Sequence, residues 1–302
     1  MTSAIDVRGL CKRYGESTAV DDVTFSVARG EVYGLLGHNG AGKSTTVEIL
    51  EGHRRATSGT VSVLGTDPRT AGRDFRDRIG IVLQSSAVEK ELTVREAIAF
   101  YGSCYRTPRP AADVIEMVGL GDQADQRIGT LSGGQRRRLD LGLGIVGDPE
   151  VLFLDEPTTG FDPVARRQSW QLVERLCEGG TTVLLTTHYL DEAERLADRV
   201  GVLSAGRLVA EGTPDELMAA APLTTITFEL PDGVDPDRLR IPTDAEQRGL
   251  VIRIETDRPT ALLAEVAGAA AEMGVELPGL SVRRPSLEDV FIALGTSDEV
   301  ER

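Results

Sequence analysis

The chain has 302 residues with 40% apolar content, enough for one large and one small domain with buried cores. Its 33 Lys and Arg face 48 Asp and Glu, a formal charge of −15, which argues against sequence-independent nucleic-acid binding because that needs a basic footprint. Residues 222–302 alone carry 8 basic and 16 acidic residues, so this end is expected to avoid anionic lipid and nucleic acid.

Alternating apolar residues predict strands in AIDVRGL near residue 4 and DVTFSVA near residue 22. EVYGLLG then runs apolar into a glycine loop, a helix follows from Lys43 to about Leu50, and GTVSVLG and RIGIVLQ read as further strands. Residues 92–147 have a helical pattern, opened by a capping box of Thr93 and Glu96 with Val94, Ala97, Ile98 and Tyr101 at helical spacing. Past Pro149, VLFL at 151–154 and TVLL at 182–185 are short and wholly apolar. Such runs alternating with helices predict an α/β fold, a mainly parallel sheet covered on both faces. Asp162 caps a crossover helix with Pro163 at its first position, and Thr213 to Glu216 starts another. Pro222 marks the expected boundary, giving domains 1–221 and 222–302. The second is a small acidic α/β domain with strands in TTITFEL and GLVIRIET, an Ala-rich helix Pro259–Met273 and a last helix capped by Ser286 through Asp289.

Cys11, Cys104 and Cys177 are odd in number and far apart, so they read as small buried hydrophobes in a reducing compartment. MTSAIDVRGL has no apolar run after a basic start, and no stretch reaches the ~18 apolar residues of a membrane span. The expectation is a soluble, cytoplasmic protein that meets a membrane only through a partner.

Three segments carry recognisable chemistry. GHNGAGKST places Gly37, His38, Asn39, Gly40, Ala41, Gly42, Lys43, Ser44 and Thr45 between a strand and a helix, the context of a phosphate-binding loop. Its glycines turn backbone N–H groups toward phosphate oxygens and the helix start adds partial positive charge. Lys43 is expected to reach the β- and γ-phosphates of ATP and Ser44 to bind Mg²⁺; His38 reads as a loop filler. VLFLDEP brings Asp155 and Glu156 out of a buried strand at the end where open α/β sheets bind ligands. Asp155 suits the magnesium-holding carboxylate and Glu156 the group that polarises the attacking water; the plainer reading is two solvated acids at a helix start. His188 follows another buried strand and is placed to hydrogen-bond a γ-phosphate oxygen. Gln84, closing RIGIVLQ, reads equally as a contact to Mg²⁺ or the water and as a surface glutamine.

LSGGQRRRLDLGLG, Leu131 to Gly144, adds a second anion site without a lysine. Ser132 caps a helix that starts with Gly133, Gly134 and Gln135, whose first N–H groups lack helical partners. Arg136, Arg137 and Arg138 read as a solvated or subunit-facing surface of that helix, with phosphate binding as the alternative.

LSGGQ together with GHNGAGKST, VLFLDEP and His188, in this order and spacing, strongly resembles the ATP-binding cassette of ABC transporters over residues 1–221. The resemblance implies a P-loop fold with a mainly parallel core sheet, an antiparallel β subdomain and a helical subdomain. It implies an ATPase that dimerises on ATP, in which Ser132, Gly133, Gly134 and Gln135 serve the nucleotide of the opposite subunit. Tyr14 matches the family's adenine-stacking aromatic and Asp162, in TTGFDP, its dimer-facing loop. The segment after Gln84, through LTVREAIAFY, would be the face that docks on a separate membrane permease, unless its apolar side only packs on its own core. The protein would then lie on the inner face of the cell membrane through that permease. RRPSLEDVFIALG is similar to ATP-binding subunits of bacterial drug exporters of the daunorubicin-resistance type, implying export of a drug, antibiotic or other hydrophobic compound. A lipid or polysaccharide exporter subunit is an alternative. So is a soluble cassette ATPase acting on ribosomes or nucleic acid, which the single cassette and the acidity oppose. Phe161 stands where Leu is usual and His38 where Pro is common. Gly142 and Gly144 replace commoner alanines; each costs up to ~1 kcal/mol in a helix unless it permits close packing.

Overall fold

Strands without a polar break bury both faces, and three of them form the middle of the main sheet. The computed structural model describes residues 3–82, 88–158, 161–220, 224–231, 233–283 and 285–291, and the chain divides into two units, Met1–Pro214 and Asp215–Arg302. The first unit runs β1 (Ser3–Tyr14), β2 (Ser17–Ala28), β3 (Val32–Gly37), α1 (Lys43–Leu50), β4 (Ser58–Val63), α2 (Arg73–Arg76) and β5 (Ile79–Val82). Then come α3 (Val94–Gly102), α4 (Ala111–Met117), α5 (Gly133–Ile145), β6 (Val151–Asp155), α6 (Pro163–Glu178), β7 (Thr182–Thr187), α7 (Leu190–Leu196), β8 (Arg199–Ser204) and β9 (Arg207–Gly212).

The main sheet has the order β5-β6-β7-β3-β8-β9, parallel except for the antiparallel edge strand β9. β3 and β7 are buried at every residue, and β6 at every residue before Asp155. Leu36 lies opposite Thr187 and Asp155 opposite Thr186, so these three strands finish at one edge of the sheet. A separate antiparallel sheet, β2-β1-β4, carries the N-terminal strands. In the helical region Val94, Ala97 and Ile98 are buried with Val114, Val118, Leu139 and Ile145. The apolar side of α3 therefore packs on its own core, while Phe100 of the same helix is 60% exposed.

Several elements lie outside the expected set, among them a hairpin and a helix. β8 and β9 form a hairpin turning at Ala205 and Gly206, both with positive φ (46° and 82°), as a two-residue turn between twisted strands requires. α7 follows His188 directly. The cysteines are a correction: Cys104 is exposed and the other two are only half-buried.

The second unit takes in helix α8 (Pro214–Ala220) from its second residue, so the division falls before α8 rather than after residue 221; Pro222 itself lies outside the described residues. It continues with β10 (Thr224–Glu229), β11 (Glu246–Arg248), β12 (Val251–Thr256), α9 (Pro259–Met273) and β13 (Ser281–Arg283). The sheet is antiparallel in the order β11-β12-β10-β13, with Ile226, Phe228, Ile252, Ile254 and Val266 in its core. Residues 287–291 are helical, and Ser286 and Asp289 bond each other's backbone N–H groups as a cap.

The interior glycines of α5 differ in what they do. A Cβ on Gly144 would sit 2.4 Å from Cγ2 of Val82, and one on Gly80 would sit 2.1 Å from the Gly144 carbonyl oxygen, so these glycines let α5 lie against β5. The nearest atoms to a Cβ on Gly142 belong to the Val114 and Val118 side chains, at 3.3–3.6 Å. Gly144→Ala is expected to lower unfolding stability by ~1–3 kcal/mol through overpacking. Gly142→Ala should change it by less than ~1 kcal/mol, because gained helix propensity offsets the tight contacts. Denaturant unfolding of the two variants checks this; an equal loss in both would contradict it.

Candidate nucleotide site

The loop between β3 and α1 is built for a close approach to its backbone. Gly42 caps α1 at φ 104°, and a Cβ there would lie 2.5 Å from the carbonyl oxygen of Ala19, so only glycine fits. Lys43 is buried and curls over the loop, donating from Nζ to the carbonyls of Gly37 at 2.6 Å and His38 at 3.2 Å. Burial lowers its pKa, opposed by the carboxylates of Glu156 and Asp155. Ala41 and Gly42 are buried, Thr45 is half-buried, and His38, Asn39, Gly40 and Ser44 are exposed at the rim. Tyr14, at the end of β1, is 41% exposed, with the Lys12 ammonium 4.9 Å and the Arg54 guanidinium 5.4 Å from its ring centre.

The two carboxylates leave β6 one residue apart and diverge. Asp155 accepts a hydrogen bond from the Thr186 hydroxyl on β7. Glu156 has a left-handed backbone, φ 48°, and its N–H donates to the Thr186 carbonyl at 3.0 Å. A non-glycine residue held there stores of order 1–3 kcal/mol of strain, the kind of cost concentrated at functional sites. The Glu156 side chain is 13% exposed, with Oε1 3.0 Å from Nδ1 of His188. The His188 ring packs on Tyr189 with centroids 4.1 Å apart. Asp155, Glu156, His188 and Lys43 thus gather at the shared edge of β6, β7 and β3, and the reading of two merely solvated acids does not describe them.

At the second helix start Ser132 and Gln135 close a capping box: Ser132 Oγ accepts from the Gln135 N–H at 3.2 Å, and Gln135 Oε1 accepts from the Ser132 N–H at 2.8 Å. A Cβ on Gly133 or Gly134 would meet nothing within 4 Å, and neither has a positive φ. The arginines that follow need a correction. Arg137 is 7% exposed and points into the protein, its guanidinium donating to the carbonyls of Asp155, Glu156 and Pro157. Arg136 and Arg138 are half-buried and donate to the carbonyls of Ile128 and Gly119. The sequence signal was the Arg137–Asp140 pair on the same stripe as buried Leu141 and Gly144. Asp162 caps α6, its Oδ1 accepting from the N–H groups of Val164 and Ala165 at 2.9 Å. Gln84 lies outside the described residues.

Over 97% of the chain and 92% of its own length, the daunorubicin/doxorubicin resistance ATP-binding protein DrrA of Streptomyces peucetius is 42% identical. The chain belongs to the ABC transporter family. The family's own pattern matches residues 20–159 of this cassette, and a C-terminal domain of ABC transporter proteins matches residues 224–286. A Nod factor export ATP-binding protein I of Burkholderia orbicola is 40% identical over 96% of both chains. Among solved structures, an ATP-binding subunit of an ABC transporter superposes with a TM-score of 0.66 at 27% identity, covering 72% of this chain and 93% of its own. A dimeric post-hydrolysis cassette bound to ADP and Pi gives 0.63 at 25%, covering 69% and 98%. The cassette is thus an ATPase of the P-loop ABC fold.

One acid of this cassette went unmarked by any sequence pattern. Glu51 closes α1 with its side chain buried, its Oε2 3.2 Å from Nδ1 of His53. Burial, then the Asp155 and Glu48 carboxylates, push its pKa up to about 8. A raised carboxylate pKa favours the folded state most at low pH, and that stability is lost as pH climbs from the unfolded value through about 8. The Tm should therefore fall between about pH 5 and pH 8 more steeply in the native chain than in Glu51→Gln, which stays neutral. Equal slopes would show that Glu51 does not titrate in that window.

Proposed function

We propose that this cassette powers an exporter: two copies close around two ATP molecules and the closure drives a separately encoded membrane permease. Each ATP would lie between the loop Gly37–Thr45 of one copy and Ser132, Gly133, Gly134 and Gln135 of the other. The observation that carries this is the pair of glycines at 133 and 134. Neither this chain's backbone conformation nor its packing requires glycine there. A helix start kept bare of side chains, where the first N–H groups precede the helical hydrogen bonds, suits an anion brought by another molecule.

Each group then has a task. Tyr14 stacks on the adenine, its ring already flanked by Lys12 and Arg54. Lys43 exchanges its two loop carbonyls for phosphate oxygens. Glu156 polarises the attacking water, oriented by its left-handed backbone and by His188. With Nδ1 of His188 on Glu156, Nε2 is the ring nitrogen for a γ-phosphate oxygen. Asp162 holds the start of α6 at the face toward the other copy. Ser44 and Asp155 offer hard oxygen donors suited to magnesium, with Gln84 as a further amide oxygen. Among the described residues no group of three or more His, Cys, Asp or Glu could hold a metal alone, which fits an ion that arrives with the nucleotide phosphates. Magnesium would neutralise charge on the phosphates; the chain's part is positioning, exclusion of water and fixed N–H dipoles.

Export is favoured because the similar proteins are named for daunorubicin resistance and for Nod factor export. A drug, antibiotic or other hydrophobic compound is the favoured cargo. No helix among the described residues is long and apolar enough to cross a membrane, so passage would belong to the permease. Phe100, exposed on α3, is the apolar side chain on the docking face.

In Glu156→Gln, hydrolysis should fall by about two orders of magnitude or more while ATP binding persists, and an ATP-dependent dimer should accumulate in size-exclusion chromatography. Adding Gly133→Val should abolish that dimer without changing the Tm, because the new side chain points into open space in the single copy. A dimer that survives the valine would overturn the shared site.

A further inference from the structure

Arg137 stands five residues past Ser132 and one turn before Leu141 on the inward stripe of α5. Its place in the stripe carries the guanidinium to the turn after β6. Nη2 donates to the carbonyls of Asp155 at 2.8 Å and Glu156 at 2.9 Å, and Nε to that of Pro157 at 3.1 Å. Asp140 lies on the other side, its Oδ2 4.0 Å from Nη1. One rigid fork thus fixes three successive peptide groups, the middle one belonging to Glu156 at φ 48°. Strain of that kind persists only where its surroundings over-determine the backbone. Relaxing the turn would rotate carbonyls away from a buried cation, which is costly. The direction in which the Glu156 side chain leaves the backbone, toward His188, follows from the same φ.

The helix that holds this fork begins at Ser132, whereas Glu156 stands beside Lys43 of its own chain. We infer that Arg137 is a positioning residue linking the two, so that a phosphate seated on Ser132–Gln135 firms the turn carrying Glu156 and each ATP sets the rate at which the other is hydrolysed. The coupling rests on the shared-site reading above; the positioning of Glu156 within one chain does not. Lysine replaces this fork only in part, since a compact ammonium lacks the spread N–H donors that reach the three carbonyls.

The test uses the full chain, ATP titrations of hydrolysis, equilibrium binding of a fluorescent ATP analogue and thermal melting. The native chain should show a Hill coefficient above one. Arg137→Met should lower kcat by about tenfold or more, leave analogue affinity within about twofold, and bring the Hill coefficient to one. Arg137→Lys, which keeps the charge opposite Asp140, should recover part of kcat, and it decides the matter if the methionine variant fails to fold. A folded variant of either kind with native kcat and a native Hill coefficient would overturn the proposal. A native chain that hydrolyses ATP with a Hill coefficient of one overturns the coupling, whatever kcat then says of positioning. A native chain without ATP-dependent dimers would sink the shared site instead, separately from Arg137.

Discussion

The chemistry of this cassette depends on three buried parallel strands that end side by side. β6, β7 and β3 are neighbours, and their burial on both faces leaves only their C-terminal edge for polar groups. Asp155 ends β6 and Glu156 follows it, His188 follows β7 directly, and Lys43 follows β3 after the loop 38–42. Their proximity therefore comes from the sheet, whose packing is far stiffer than any loop. Thr186 shows the economy of the arrangement: its hydroxyl serves Asp155 while its carbonyl takes the Glu156 N–H.

Around that edge the chain sets two glycine-rich helix starts for different purposes. Gly42 is glycine because the chain itself demands it, by φ and by the Ala19 carbonyl. Gly133 and Gly134 are free of any such demand from the single copy. On the proposed reading, the contrast separates a loop that shapes its own phosphate site from a surface kept clear for another molecule's. Arg137, on the helix that opens at Ser132, bonds the Asp155 and Glu156 carbonyls at the strand edge and so joins the two places in space.

Much of this was legible because the motifs are constrained locally. The phosphate loop, the carboxylate pair, the caps at Thr93, Ser132 and Asp162, and the core strands each carry their signal within a few residues. What was missed depended on partners distant in sequence. Three consecutive arginines look like solvent, and only the stripe shared with Asp140 and Leu141 shows that the middle one turns inward. Strands β11 and β13 are exposed at every residue and so have no apolar alternation to find. β9 alternates between exposed and half-buried residues and has a turn signal before it, yet its antiparallel place at the sheet edge follows only from pairing with β8. Gly144 could be either a weakness or a packing device until the Val82 side chain beneath it was located.

The central claim is that one ATP is held by two copies of the chain. Mixing Lys43→Ala chains with Ser132→Arg chains tests it most directly, because each mixed dimer would rebuild one intact site from the sound loop of one copy and the sound helix start of the other. ATP hydrolysis in the mixture should rise above that of either variant alone. A mixture no more active than its separate components, while both variants remain folded and still form mixed dimers, would contradict the account.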